Sequence, residues 1–164
     1  MFNNDEPVLD ENINHQNYDP QIETNIRKML QSQQFSILCT QGDEQPYGSL
    51  VAFAYSDDLK HFFFTTPTAT RKYMLLSKCS HVALVIDTRS EHPDSMKNIE
   101  AITITGIAQE VKPGSDYEKG MKLLKGRHPY MVEFLEAKST AMFQIDTIRY
   151  FHVSRFQEVS QWIP

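Results

Sequence analysis

The sequence predicts a mainly β (α+β) protein in which six to seven antiparallel strands close into a barrel with short flanking helices. Two observations predict this fold class. Segments rich in β-branched and aromatic residues recur along the chain with short polar turns between them, and few stretches have helical periodicity. Closure is favoured because it removes the exposed strand edges that an open sheet would present.

Length and charge indicate one domain behind an acidic leader. The chain has 164 residues and a net charge of -5, and its first twenty residues contain five acidic side chains and no Lys or Arg. We predict that residues 1–18 form a mobile acidic leader and that residues 19–164 form a single domain. The remaining acidic residues equal the 16 basic ones in number. The body therefore lacks the clustered positive field that nucleic-acid binding requires.

The lack of a targeting signal and the spacing of the cysteines predict that the protein is in a reducing compartment. The N-terminus lacks the basic start and apolar run of a signal peptide, and no apolar stretch approaches the length of a membrane span. We therefore expect a cytoplasmic protein with no membrane partner. Cys39 and Cys79 have no metal-ligand spacing, so buried reduced thiols are expected rather than a disulfide or a metal site.

The predicted elements begin with a helix that has Asp19 as its N-cap and Pro20 at its first position. A hairpin follows, and then a third strand that leads into a short helix, two further strands, two helices and a return to strand. The capping-box match Ser115–Glu118 opens the first of those two helices, and Pro129 opens the second. The predicted strands are 35–40, 46–55, the strand of Phe62, 82–87, 102–108, 141–146 and 148–153.

Gly106 interrupts a strand whose alternation is otherwise regular. Ile102 and Ile104 alternate with Thr103 and Thr105, which places one face of the strand inward. A glycine inside such a strand indicates either a β-bulge or a close approach of another backbone. We expect one of these two features at Gly106.

The stretch from Phe62 to Leu76 has the features of a phosphate-binding turn. Three consecutive phenylalanines form a strand, Pro67 ends it, and four threonines precede a helix. The first turn of that helix has N–H groups without intrahelical partners and carries Arg71 and Lys72. A planar guanidinium and a point charge together suit a dianionic phosphate monoester. The alternative is structural: the threonines cap the helix, and Arg71-Lys72 is a solvated turn.

The sequence indicates no catalytic residue and no metal site. It contains no nucleophile triad, no carboxylate pair and no metal-ligand spacing. The six histidines occur singly, and for each we expect a surface or structural role. Only His152 lies near another candidate residue, Arg149, in the last predicted strand.

Three motifs occur in order along the first half of the chain. They are Gln45-Pro-Tyr-Gly-Ser-Leu-Val51, Phe63-Phe-Thr-Thr66 and Thr70-Arg-Lys72, and Val82-Ala-Leu-Val-Ile86 follows them. In this order and spacing they resemble the FMN-binding split-barrel family that includes pyridoxamine 5'-phosphate oxidase. The resemblance runs from about Gln33 to Ala108 and is weaker out to Trp162. It implies that residues 19–164 form a closed antiparallel six- to seven-stranded split β-barrel that binds FMN.

The resemblance also implies roles for individual residues. Arg71 and Lys72 would hold the FMN phosphate. The strand that carries Ser49 would run beside the flavin ring, and the end of the third strand would line the ribityl chain and the phosphate. The family further implies a homodimer, with FMN at the subunit interface, and a small-molecule substrate. The cofactor-binding residues predicted in this way are Ser49, Leu50, Val51, Phe64, Thr65, Thr66, Thr70, Arg71 and Lys72.

This sequence differs from the oxidases at several positions, so cofactor binding and activity on vitamin B6 have to be predicted separately. Two cationic positions of the oxidases correspond to Ser49 and Ala54, and a Gln that contacts the flavin ring corresponds to Ala101. The C-terminal signature for the vitamer is absent from Arg149-Tyr-Phe-His152. We therefore expect this chain to share the fold and the FMN binding of the family and to lack pyridoxamine 5'-phosphate oxidase activity.

Three functions stay open. The first is an FMN-dependent oxidoreductase acting on an unknown small substrate, because FMN brings its own redox chemistry and needs no nucleophile from the chain. The second is a haem-binding or haem-utilisation protein on the same fold, with His152 as a ligand. The third is a flavin-binding module without turnover. Tyr150 and Trp162 either cover a flavin or pack in the core or interface.

Overall fold

The computed structural model describes residues 20–154 and 158–164. The leader 1–18 and the predicted N-cap Asp19 lie outside the described residues, and α1 begins at Pro20 as predicted. The elements are α1 (Pro20–Ser32), β1 (Phe35–Gly42), β2 (Gln45–Tyr55), β3 (His61–Pro67), α2 (Arg71–Lys78), β4 (His81–Asp87), a 3₁₀ turn (Met96–Asn98), β5 (Ala101–Glu110), α3 (Ser115–Arg127), a 3₁₀ turn (Pro129–Met131), α4 (Val132–Leu135), β6 (Thr140–Ser154) and β7 (Glu158–Trp162).

Six strands close into an antiparallel barrel. Their order is β3-β2-β1-β4-β5-β6, and β3 pairs with β6 from His61↔Asp146 to Pro67↔Thr140. β7 lies outside the closed ring, where it pairs with the last residues of β6. The predicted fold class, a closed antiparallel split β-barrel with short flanking helices, is confirmed. The seventh strand is β7, a segment for which the sequence pattern predicts no strand.

The residues predicted as two strands, 141–146 and 148–153, form the single strand β6. The β5–β6 register shifts between Thr105 and Gly106, and it skips Ile148, which is 48% exposed. One extra residue on β6 reverses which side chains face the interior, because side chains alternate along a strand. Because of this reversal, the sequence pattern predicts two strands where the structure has one.

The same register shift explains why position 106 is occupied by glycine. A Cβ atom at Gly106 would lie 2.5 Å from Ile145 Cγ2 and 2.6 Å from the carbonyl oxygen of Asp146. No side chain fits at such distances from a paired backbone. Both expected features, a bulge and a close backbone approach, are therefore present at Gly106.

The apolar residues form two clusters on the two sides of the barrel wall. The main cluster fills the barrel and includes Phe62 and Phe64, whereas Phe63 points outward into a smaller cluster covered by α3 and α4. The three phenylalanines therefore serve both cores through strand alternation. The buried members of the smaller cluster are Ala54, Phe63, Met121, Leu124, Leu135 and Met142.

The predicted cap of α3 is wrong. The N-cap is Gly114, with φ 156°, and no side-chain hydrogen bond caps the helix. Ser115 is already helical, and the backbone N–H of Glu118 bonds to the carbonyl of Gly114 at 3.0 Å. The helix therefore starts where predicted but without the reciprocal bonds of a capping box.

Cys39 and Cys79 are free thiols, as expected, but each is half-buried rather than buried. Cys39 alternates along β1 with the buried Leu38 and Thr40, so its side chain lies on the outer face of the barrel. Its partial burial raises the pKa of the thiol above its ordinary value.

Candidate functional site

The predicted cofactor-binding residues surround an opening between β2 and β3. The two strands share a short ladder that ends at Phe53↔Phe64, so the earlier part of β2 and the later part of β3 are not paired with each other. α2 starts beside this opening, and Lys72 Nζ donates a hydrogen bond to the carbonyl oxygen of Leu50 at 3.5 Å. Residues from separate motifs of the sequence thus lie together.

The hydroxyls of Thr66 and Thr70 join the end of β3 to the start of α2. Thr70 Oγ1 accepts a bond from the N–H of Tyr73 at 3.3 Å and donates to the Pro67 carbonyl at 2.8 Å. Because Thr70 has one hydroxyl proton, Thr66 donates the 3.0 Å bond between the two hydroxyls. The structural alternative therefore holds for these hydroxyls, which fix the turn and cap the helix.

Arg71 and Lys72 stand on the first turn of α2 without acidic partners. Among the described residues, no carboxylate forms an ion pair with either cation. Asp43 in the β1–β2 turn pairs with Lys78 at 2.7 Å. Arg71 is exposed, and partial burial of Lys72 lowers its pKa below the ordinary value. The pKa of Asp43 is lowered mainly by Lys78 and to a smaller extent by Arg71. Two cations without an ion-pair partner among the described residues, at the start of a helix, favour binding of an anion.

The β2 residues of the site differ in exposure. Ser49 Oγ is buried and has no hydrogen-bond partner, and Leu50 is 63% exposed. A buried hydroxyl without a partner is unfavourable unless a further molecule supplies one. The remaining predicted residues have buried side chains: Val51, Phe64, Thr65 and Thr66.

Sequence reasoning missed Tyr47. Its exposed ring lies on the same face of β2 as Ser49 and Val51. The guanidinium of Arg71 lies over this ring, with Cζ 5.4 Å from the ring centroid. Strand alternation was the available signal, since it places Tyr47 on the face of two predicted site residues.

His152, Tyr150 and Trp162 belong to the interior. His152 is 3% exposed, and its Nε2 lies 2.7 Å from Glu100 Oε2. The hydroxyl of the fully buried Tyr150 donates to the Leu59 carbonyl at 2.7 Å, and its ring centroid lies 5.1 Å from that of Trp162. Burial raises the pKa of Tyr150 far above its ordinary value. Of the two readings for these aromatic residues, core packing is the one observed.

Two other kinds of feature are missing from residues 20–154 and 158–164. No three His, Cys, Asp or Glu side chains there form a group that could hold a metal ion. None of the helices in those ranges combines the length and hydrophobicity needed to cross a membrane.

Solved structures with the same fold include proteins of several kinds. A haem-binding protein from Mycobacterium smegmatis matches with a TM-score of 0.74 at 13% identity over 84% of this chain, and the chain spans 55% of that protein's length. The haem storage protein HutZ from Vibrio cholerae matches with a TM-score of 0.68 at 13% identity, covering 86% of this chain and 93% of HutZ. An FAD-binding protein from Mesorhizobium loti matches with a TM-score of 0.65 at 17% identity, covering 79% and 90% respectively.

Sequence comparison identifies the family. Among curated protein sequences, none matches this chain. The family model for pyridoxamine 5'-phosphate oxidase matches residues 22–153, which contain most of α1, the six barrel strands except the last residue of β6, and the β2–β3–α2 opening. Since that match covers more than half of its residues, this chain belongs to the pyridoxamine 5'-phosphate oxidase family.

Proposed function

We propose that this chain binds FMN at the β2–β3–α2 opening and acts as an FMN-dependent oxidoreductase on a small-molecule substrate. The observation that carries the proposal is the pair Arg71 and Lys72, which lacks carboxylate partners among the described residues. A phosphate monoester would neutralise both cations and accept bonds from the first amides of α2.

The neighbouring residues fit the rest of the same cofactor. The exposed side chain of Leu50 would contact the apolar ring, and Ser49, whose buried hydroxyl lies on the opposite face of β2, would contribute through its backbone. Thr66 and Thr70 would act indirectly, because their hydroxyls hold the turn that presents Arg71. When bound, FMN supplies the electron-transfer chemistry itself. The chain's own task is then to position the ring and exclude water.

The same proposal excludes vitamin B6 as the substrate. Ser49 cannot supply a cation to a substrate phosphate, and Ala54 is 2% exposed in the cluster beneath α3. We therefore expect no useful turnover of pyridoxamine 5'-phosphate by the FMN-loaded protein. Robust oxidation of that substrate, followed as formation of pyridoxal 5'-phosphate, would contradict this part of the proposal.

A homodimer with FMN at the subunit interface is part of the proposal. Cross-strand pairing aligns Leu50, Ile37, Val85, Thr103 and Phe151 in one row across five strands of the outer barrel face. Four of these five side chains are apolar, and none of the five is buried. A second copy that covered this row would bury apolar surface and enclose a ring lying beside Leu50.

The haem alternative has less support. Two of the similar structures are haem proteins by name, but likeness at 13% identity concerns the fold. His152, the candidate ligand, is buried, and its Nε2 is bonded to Glu100. An iron ion could reach that nitrogen only after this bond was broken.

Analysis of the cofactor released from the purified full-length protein tests the proposal. We expect FMN, a flavin absorption spectrum and tighter binding of FMN than of riboflavin. A Soret band on haem addition, with no FMN affinity, would favour the haem function. Bound FMN that no electron donor can reduce would favour the flavin module. We also propose that residues 19–164 act as one domain in the cytoplasm.

A further inference from the structure

The helix α2 carries the two cations of the proposed phosphate site on a short element. It has eight residues, and a helix of this length is marginal in water without tertiary contacts. Its last turn is anchored by the buried side chains of Leu75 and Leu76. In its first turn the side chains of Arg71 and Met74 are exposed and do not pack in the core. The first turn therefore needs a further contact if its cations are to be held in one place.

Tyr73 provides this contact. Its hydroxyl donates to Glu110 Oε2 at 3.1 Å, and its ring stands edge-on to the buried ring of Phe143, with the two centroids 5.9 Å apart. Glu110 and Phe143 are partners in the β5–β6 ladder. Tyr73 therefore joins the first turn of α2 to one rung of the barrel wall by a polar contact and an apolar one.

Glu110 is compensated in charge by Lys112, which follows the end of β5. Lys112 Nζ lies 2.6 Å from Glu110 Oε1, so each carboxylate oxygen of Glu110 has one partner. The bond from Lys112 lowers the pKa of Glu110, and the bond to Glu110 raises the pKa of Tyr73. At neutral pH Tyr73 is therefore the donor and Glu110 the charged acceptor. Within the described part of the chain, this carboxylate forms no ion pair with Arg71 or Lys72.

We propose that Tyr73 is a positioning residue for the FMN phosphate, acting through the first turn of α2 with Glu110 as its acceptor. This inference rests on the proposed function, since it concerns how the protein holds Arg71 and Lys72 for the same phosphate. Tyr73 itself does not contact the cofactor. Its hydroxyl and ring hold the turn in place, while the two cations stay free to bond the anion.

Dissociation constants of FMN and riboflavin, measured by fluorescence titration of the full-length protein, test this inference. Tyr73→Phe keeps the ring on Phe143 and removes the hydroxyl bond, so FMN should bind about two- to fivefold more weakly. Riboflavin affinity should not change, because riboflavin lacks the phosphate. Tyr130→Phe is the matched control, since it also removes one tyrosine hydroxyl bond, to Gln34 at 3.3 Å, and should bind FMN as wild type.

Variants of Glu110 distinguish positioning from simple charge. Through its charge alone, removal of a carboxylate should strengthen the binding of an anion, whereas loss of the anchor should weaken it. We expect Glu110→Ala to weaken FMN binding by about the same factor as Tyr73→Phe, and the double variant to bind no more weakly than either. Glu110→Gln keeps an acceptor for the hydroxyl and should bind FMN at least as tightly as wild type.

Three results would overturn this inference. The first is wild-type FMN affinity in Tyr73→Phe when Arg71→Ala does weaken FMN binding, and this result would leave the proposed function standing. The second is an equal loss of FMN and riboflavin affinity in Tyr73→Phe, which would indicate general damage to the fold. The third is tighter FMN binding by Glu110→Ala. A wild-type protein that binds no FMN would refute the proposed function and this inference together.

Discussion

The guanidinium of Arg71 lies over the ring of Tyr47, with its Cζ 5.4 Å from the ring centroid. Tyr47 is on β2 and Arg71 is the first residue of α2, so the contact joins two elements that enclose the opening of the barrel. An aromatic face attracts a guanidinium while leaving its N–H groups at the edge free to donate. Tyr47 therefore positions Arg71 for an anion without neutralising it.

Removal of Arg71 should weaken FMN binding selectively. If the guanidinium bonds the phosphate, Arg71→Ala should lower FMN affinity about ten- to a hundredfold. Arg71→Lys should recover part of the loss, because an ammonium keeps the charge and loses the planar fork. Riboflavin, which has no phosphate, should bind wild type and Arg71→Ala alike. Dissociation constants from fluorescence titration measure these effects, and equal FMN affinity in folded Arg71→Ala would remove the phosphate assignment.

Tyr47 should act only through Arg71. Tyr47→Phe keeps an aromatic face and should bind FMN as wild type, whereas Tyr47→Ala should lower FMN affinity about two- to fivefold. In the Arg71→Ala background, Tyr47→Ala should have no further effect, since the two residues share one interaction. Additive losses in this double-mutant cycle would mean that Tyr47 contacts the ligand itself.

Gly106 should tolerate no side chain. The Cβ of Gly106→Ala would collide with the paired backbone of Asp146, so we expect destabilisation of about 1–3 kcal/mol. Gly126→Ala in α3 is the control, because a Cβ there meets nothing within 4 Å and alanine favours a helix. Urea denaturation measures both variants. Equal stability of the two would show that the backbone at the bulge yields easily.

The proposed dimer should depend on the outer row of β-strand residues. Val85 lies between Ile37 and Thr103 in that row, and Val85→Glu would place a charge in the proposed interface. Analytical ultracentrifugation should show a dimer for wild type and a monomer for this variant. Met96→Glu, at a 68% exposed position in the loop between β4 and β5, should remain dimeric. A monomeric wild type that still holds FMN would refute the dimer.

Stability should fall on acidification through His128. This fully buried residue donates from Nε2 to the Phe53 carbonyl at 2.8 Å, and burial lowers its pKa below the ordinary 6.5. Below pH 6.5 the unfolded chain takes up a proton that the folded chain resists, so the free energy of unfolding decreases as pH falls.

Urea denaturation between about pH 5 and 7.5 measures this dependence. His128→Gln retains an N–H donor for Phe53 but cannot titrate, so its stability should change less over this range. His81→Gln, at an exposed position on β4, is the control and should behave as wild type. The same pH dependence in His128→Gln and wild type would assign the effect to other groups.

Local sequence patterns predicted those features that depend only on residues close together in the chain. Proline marked the start of α1, and Pro67 with the threonines marked the passage from β3 to α2. Gly106 could be predicted as a bulge or close approach because no other residue fits a backbone so near its partner. These features depend on neighbouring residues, whose effects a sequence displays directly.

The alternation of apolar and polar residues did not predict β6 and β7 correctly, because pairing with distant segments determines where these strands lie. β6 reads as two strands because the extra residue Ile148 reverses the alternation, although the ladder with β5 continues on both sides of it. β7 has little pattern of its own and becomes a strand because β6 extends past the barrel and offers it an edge. Both outcomes depend on long-range hydrogen bonds, which local sequence does not contain.

The sequence by itself determined the barrel class, the cationic pair Arg71-Lys72 and the turn that carries it. Only the tertiary structure decided the surroundings of that pair: Lys72 reaches the Leu50 carbonyl, Tyr47 lies under Arg71, and no described carboxylate forms an ion pair with either cation. It also turned His152 inward to meet Glu100. The reason is physical, because residue type sets which groups are available, whereas strand register and barrel closure set which of them meet.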